Sequence, residues 1–175
     1  KTKNYIKFTQ TESDILDKIN QAMGTSYSLS TYQKDVGQLL YGLQVNSKEM
    51  CGDLETLGIH PQKSKTVGWP VIPSNFSRHF VRGVFDGDGC ISCIKESTTG
   101  GRGSWMIHFT TASVIFGSCL KEWLLSNDVD CRLDKYKDKE CWTVYVNTGF
   151  GNGEKFYALL YKDSTIYMQR KYDKF

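Results

Sequence analysis

No run of 18 or more apolar residues occurs in this 175-residue sequence, and no secretory signal opens it. A bilayer-spanning helix needs about 20 consecutive apolar residues, so the chain reads as soluble and not exported. Charge of one sign is not in excess: 22 basic against 19 acidic residues leave +3. That balance permits nucleic-acid binding without arguing for it, because clustering matters more than the sum. Cysteine patterning is equally sparse. Among Cys51, Cys90, Cys93, Cys119, Cys131 and Cys141 the one close pair is Cys90-x-x-Cys93. No second pair completes a four-ligand zinc site. On a strand, residues three apart point to opposite faces, so reduced, unpaired thiols are expected. An initiator methionine is lacking too: the chain opens on Lys1 and is expected to start inside a longer protein. What is present is ordinary for a globular fold, 39% apolar and 23% charged, but rich in aromatics at 13%.

An internal repeat organises the chain. A shift of 101 positions aligns Tyr5-Ile6-Lys7-Phe8-Thr9 with Met106-Ile107-His108-Phe109-Thr110. Without a gap, it also pairs Ile19 with Leu120, Lys34 with Lys135, and Val45-Asn46 with Val146-Asn147. Each half then reads alike. Around Ile6 and Phe8, apolar and polar residues alternate with the period of a half-buried strand. Thr11-x-x-Asp14 resembles a helix start, Ile15, Leu16, Ile19 and Met23 share a helical face, and Gly24 ends it. Segments 27–34 and 39–46 make a hairpin, with Leu39, Tyr41, Leu43 and Val45 inward. A second helix starts at Ser47, aligns Met50, Leu54 and Leu57, and stops at Gly58. In the second half Trp105, Ile107 and Phe109 face inward, a helix covers 113–126, and a hairpin over 129–147 turns Trp142, Val144 and Val146 inward. A last helix is expected over 153–170. Residues 90–97 add a strand, hairpinned to 105–111 through Thr98–Gly103.

Between the halves runs Pro73-Ser74-Asn75-Phe76-Ser77-Arg78-His79-Phe80-Val81-Arg82-Gly83-Val84-Phe85-Asp86-Gly87-Asp88-Gly89. Phe76, Phe80 and Val84 keep helical spacing, and Gly83 and Gly87 lie four apart on one face. A glycine inside a helix costs up to about 1 kcal/mol relative to alanine, so the pair suggests close approach of another backbone. Two carboxylates, Asp86 and Asp88, close the helix. Asp-Gly-Asp-Gly alone could be an ordinary turn. A calcium loop is excluded, because the fifth and twelfth positions hold Cys90 and Ser97.

Taken with Leu57-Gly58-Ile59-His60-Pro61-Gln62-Lys63-Ser64-Lys65-Thr66 and Pro70-Val71-Ile72-Pro73 before it, this segment resembles the junction in a single-chain LAGLIDADG homing endonuclease. The repeat extends the resemblance over essentially the whole chain. It implies an α+β fold of two pseudo-symmetric αββαββα halves, their antiparallel sheets forming a saddle over double-stranded DNA. The first half, 1–68, would be N-terminally incomplete, and the second, 69–175, would carry the motif helix at 74–89. It further implies a metal-dependent double-strand break in a long target, with two or more Mg²⁺ ions shared between paired motifs. Asp88 and the Gly87 carbonyl would hold metal, while Asp86 is structural. Lys63 and Arg170 (or its neighbour Lys171) fall where the family carries basic active-site residues. Gln10 and Thr111 fall where it carries polar residues organising water. By the repeat offset the partner of Asp88 would precede Lys1, so a second motif is expected from upstream residues or another chain. Strand alternation would then turn Lys3, Tyr5, Lys7, Arg102, Ser104, His108, Thr143 and Tyr145 toward DNA. Such a protein would work in the cytoplasm or nucleoid of a bacterium or phage-infected cell, or in an organelle matrix.

Other functions on the same fold are a non-cleaving transcriptional regulator or intron maturase, and the endonuclease insert of an intein. Retention of Asp88 favours cleavage. Tyr172-Asp173-Lys174-Phe175 has no His-Asn splicing terminus, which disfavours the intein.

Overall fold

The computed structural model describes residues 4–34, 37–61, 63–94, 104–136 and 139–175. Lys3 and Arg102 lie outside the described residues. The fold is mixed α+β, with two antiparallel sheets and six helices among the described residues. Two compact units divide the chain, Lys1–Thr56 and Leu57–Phe175.

In the first unit β1 (Tyr5–Gln10), β2 (Ser30–Gln33) and β3 (Leu39–Asn46) form a sheet of order β1-β3-β2. Helix α1 (Asp14–Ala22) buries Ile15 and Leu16, and β3 buries Leu43 and Val45. Ser13 directly precedes α1, so the helix begins later than Thr11 suggested. Its end follows the expected pattern: Gly24 takes φ +65°, a left-handed conformation in which any side chain would be strained. Helix α2 (Lys48–Thr56) is capped by the Ser47 hydroxyl, which accepts from the Met50 N–H at 3.1 Å. Leu39 was expected inward but is 43% exposed. It pairs with Gln33 at the turn end of the β2–β3 hairpin, next to the bond that the Lys34 N–H donates to the Gln38 carbonyl at 3.0 Å.

In the second unit β4 (Cys90–Ile94), β5 (Ser104–Thr111), β6 (Cys131–Lys135) and β7 (Trp142–Val146) form a sheet of order β4-β5-β7-β6. Helices α3 (Ser77–Asp88), α4 (Val114–Ser126), α5 (Asn152–Tyr161) and α6 (Gln169–Tyr172) complete it. Its core joins Val81 and Phe85 of α3 to Ile107, Phe109 and Val144 of the sheet and Phe156 of α5. Full burial of each such side chain contributes about 1.5–3 kcal/mol. The junction 57–73 belongs to this unit. Trp69 lies 5.5 Å from the Phe80 ring and stacks on Phe116, and the Ser113 hydroxyl donates to the Val67 carbonyl at 2.6 Å.

The repeat is visible in the register. Ile6 pairs with Val45 and Phe8 with Leu43, as Ile107 pairs with Val146 and Phe109 with Val144, each at the same offset. The outer hairpins depart from it. Ser30 faces Gly42, but Cys131 faces Val146 instead of Thr143, so the ungapped pairing of Lys34 with Lys135 does not hold. The slide has a physical cause: Val129 and Cys131 are buried, whereas β2 is exposed throughout and has nothing to bury.

Two helix boundaries also differ from expectation. The motif segment begins as a 3-10 turn, Ser74–Phe76, before α3. The expected helix over 153–170 stops at Tyr161, and Asp163 adopts φ +59°. The backbone groups of the following residues bond to α3 instead of to a continuing helix.

Candidate active site and nucleic-acid interface

Helix α3 carries two aspartates with opposite surroundings. Asp86 is 6% exposed and accepts two hydrogen bonds, from the Tyr161 hydroxyl at 2.6 Å and the Met168 N–H at 3.0 Å. Burial raises its pKa above the usual carboxylate value, and these two bonds oppose the shift. One turn earlier, buried Arg82 donates to the carbonyls of Ile166 at 2.8 Å and Leu160 at 3.0 Å. Lys171 donates to the carbonyls of Phe85 and Gly89, and Lys174 to that of Ile91 at 3.0 Å. Burial, followed by the charge of Arg170, brings the Lys171 pKa down to about 8. Asp86 is thus held as a structural residue, the role that the family resemblance implied, and the chain after Tyr161 is anchored along α3.

Asp88 is exposed at the exit of the same helix. It lines an open cavity of about 330 Å³, together with Ser64, Thr110 and Thr111 and the apolar Phe80, Val84 and Phe116. Thr111 ends β5, and its hydroxyl accepts from the Ser113 N–H at 3.1 Å. Ser64 belongs to the 3-10 turn Lys63–Lys65, so the chain segment bearing Lys63 borders the cavity. Three sequence-derived candidates therefore converge by position: Asp88, Thr111 and the turn holding Lys63. Arg170 sits in α6, next in sequence to Lys171. Gln10 ends β1 in the other unit, paired with Tyr41.

The helix exit depends on Gly89. A Cβ there would lie 2.7 Å from the Phe85 carbonyl oxygen and 2.2 Å from its ring, so only glycine fits. Gly83 and Gly87 are exposed, and apart from the backbone of α3 itself and their chain neighbours no described atom comes within 4 Å of a Cβ built on either. Among the described residues no three His, Cys, Asp or Glu side chains group to cage a metal. Asp88 offers a hard carboxylate oxygen beside the Gly87 carbonyl and open space. This donor set fits an ion such as Mg²⁺, which takes one or two carboxylates and keeps several waters.

Each sheet turns one polar face away from its helices. In the first unit Lys7 is exposed, its ammonium 4.7 Å from the Tyr32 ring, and the two meet over Gly42. Tyr5 lies on the same face two residues away and is half-buried. In the second unit one transverse row runs Cys90, His108, Tyr145, Arg132. The rings of His108 and Tyr145 are 5.5 Å apart, and the Arg132 guanidinium lies 4.7 Å over Tyr145. Arg132 also donates to Asp134 at 2.9 Å and to Asn147 at 3.0 Å. Burial lowers the His108 pKa, and its Nδ1 is sealed without a hydrogen-bond partner among the described residues. Ser104 begins β5. Thr143 requires correction: it has the right register, yet at 3% exposure beside the Thr110 hydroxyl it cannot offer its side chain to a ligand.

Sequence reasoning missed Arg132 and the anchoring role of Lys171. The i, i+4 pair Arg82 and Asp86, embedded between buried Val81 and Phe85, was the available signal that charged partners had to come from elsewhere in the fold.

The fold is that of the LAGLIDADG homing endonucleases. No family model and no curated protein matches the sequence. Solved structures do. Mesophilic variants of the homing endonuclease I-DmoI superpose with a TM-score of 0.60 at 11% identity, over 91% of this chain and 82% of that one. I-DmoI in complex with DNA and Mn gives 0.58 at 10% identity over the same shares. The I-LtrWI LAGLIDADG homing endonuclease bound to target DNA gives 0.59 at 13% identity, over 97% of this chain and 76% of that one. No helix among the described residues is long and apolar enough to cross a membrane.

Proposed function

We propose that this protein is a site-specific homing endonuclease making a metal-dependent double-strand break in a long DNA target. The observation that carries the reading is the contrast between Asp86 and Asp88. One carboxyl is consumed by internal hydrogen bonds, and the other opens into a cavity at the helix exit beside Thr111. DNA-bound homing endonucleases among the structural neighbours support it. Asp88 and the Gly87 carbonyl would hold Mg²⁺, which supplies an activated water and a stabilised leaving oxygen. Thr111 and Gln10 orient water, and Lys63 and Arg170 bring positive charge to the phosphate. A second motif helix, from elsewhere in the polypeptide or from another molecule, packs on the Gly83 and Gly87 face and adds the second acid. Tyr5, Lys7, His108 and Tyr145 meet DNA, joined by Lys3, Arg102 and Ser104.

The test is Asp88→Asn in the full-length protein, assayed for DNA binding and Mg²⁺-dependent cleavage. Binding is retained and cleavage of at least one strand is lost. Double-strand cleavage at the wild-type rate by this variant would refute the assignment. Wild-type protein that binds DNA but cuts neither strand in Mg²⁺ would identify a non-cleaving binding module instead.

A further inference from the structure

We infer that Lys171 is a positioning residue for the metal-binding exit of α3: by holding the Phe85 and Gly89 carbonyls, it sets the direction of the Gly87 carbonyl and the Asp88 side chain. The inference rests on the endonuclease reading of Asp88. The last carbonyls of a helix have no partner within it and form the negative pole of its dipole. Here the Phe85 carbonyl also accepts from the Gly89 N–H at 2.9 Å, and the chain turns at once into β4. The proposed ligands, Gly87 and Asp88, lie in the turn between Phe85 and Gly89. Without a donor from outside, this turn would be left to water and would fray.

The outside donor is a single ammonium. Lys171 is 3% exposed and binds both carbonyls, one on each side of Gly87 and Asp88. Its own place is secured by the Met168 N–H bonded to Asp86 and the Ile166 carbonyl bonded to Arg82. The lysine thus ties two backbone points that bracket the ligands. The ligands themselves remain open to the cavity, since Asp88 lines it.

Two effects of removing Lys171 oppose each other, and this makes the inference testable. Loss of a nearby positive charge would by itself tighten divalent-cation binding at Asp88. Loss of the fixed exit geometry would weaken it. Mn²⁺ is titrated into the full-length protein, with free ion read by electron paramagnetic resonance and duplex DNA binding measured in parallel. We expect Lys171→Met to weaken Mn²⁺ binding at least fivefold while leaving DNA affinity within twofold. Lys171→Gln, which keeps N–H donors but no charge, falls between, and Lys171→Arg returns to within threefold of wild type. Lys174→Met, which removes an anchor of the same segment on Ile91, changes stability and not Mn²⁺ binding. Unchanged or tighter Mn²⁺ binding in folded Lys171→Met overturns the inference, as does an equal loss in Lys174→Met. Should Lys171→Met not fold, Lys171→Gln decides by the same criterion. Wild-type protein that takes up no Mn²⁺ overturns this inference and the endonuclease reading together. Normal uptake with unaffected variants overturns this one alone.

Discussion

Replacing Asp86 by alanine separates the architectural acid of α3 from the exposed one. The carboxyl accepts from the Tyr161 hydroxyl at 2.6 Å and the Met168 N–H at 3.0 Å, and Tyr161 and Met168 are only 2% and 1% exposed. Alanine leaves both donors buried without a partner, at about 1–3 kcal/mol each. The expected loss is therefore about 2–6 kcal/mol. For a chain of this size each kcal/mol moves Tm by roughly 2–4 °C, so a fall on the order of 10 °C is expected. Asparagine at the same position keeps an oxygen for the Met168 N–H and sets its amide against a hydroxyl able to accept, so it costs about 1–2 kcal/mol. Asp88→Asn, at an exposed site, shifts stability by no more than about 0.5 kcal/mol. Urea and thermal denaturation of the three variants, followed by near-ultraviolet circular dichroism, measure all three values. Asp86→Ala within about 1 kcal/mol of wild type, or Asp88→Asn as destabilised as Asp86→Ala, would show that the two acids are not divided in this way.

Gly153 faces Trp105, and a Cβ there would lie 2.6 Å from the indole ring. Gly153→Ala is therefore expected to cost about 1–3 kcal/mol by overpacking, and a neutral result in urea denaturation would contradict that contact. His108 has a folded-state pKa held below its usual 6.5 by burial. As pH falls through 6.5 the unfolded chain takes up a proton that the folded chain resists, so folding stability declines on acidification. His108→Gln should flatten this dependence between pH 7 and pH 5, and an identical slope in both proteins would remove His108 as its source. On the first sheet, Lys7→Ala should lower the salt dependence of DNA binding by about one phosphate contact. If Lys7 reads a base instead, specificity changes by about 1–3 kcal/mol. No change in affinity, slope or specificity would take Lys7 off the interface.

Local pattern determined most of the secondary structure. Alternation around Ile6 and Phe8, and again around Ile107 and Phe109, is a backbone property written residue by residue. It placed β1 and β5, and the repeat offset of 101 recurs in how they pair with β3 and β7. Gly24 and Gly58 marked helix ends because their conformations, at φ +65° and +85°, disfavour side chains. The Asp-Gly-Asp-Gly exit was legible as a helix end by spacing, but its candidate acid Asp88 was singled out only by the resemblance of the whole junction to the family. Tertiary structure decided what depends on distant neighbours. The helix expected over 153–170 ends at Tyr161, and Ile166 and Met168 then bond to Arg82 and Asp86, some 80 positions away in sequence. Nothing near residue 162 encodes that demand. Thr143 reads as a surface residue by alternation, yet it is covered by the side chains around it in the sheet. The outer hairpin slid from its repeat register because Val129 and Cys131 had a core to enter, and β2 did not. From the family resemblance Lys171 was only the alternative to Arg170 as a basic active-site residue, whereas the structure buries it to 3% exposure. Its role exists only where two helix-end carbonyls, brought there by the fold, required a buried donor.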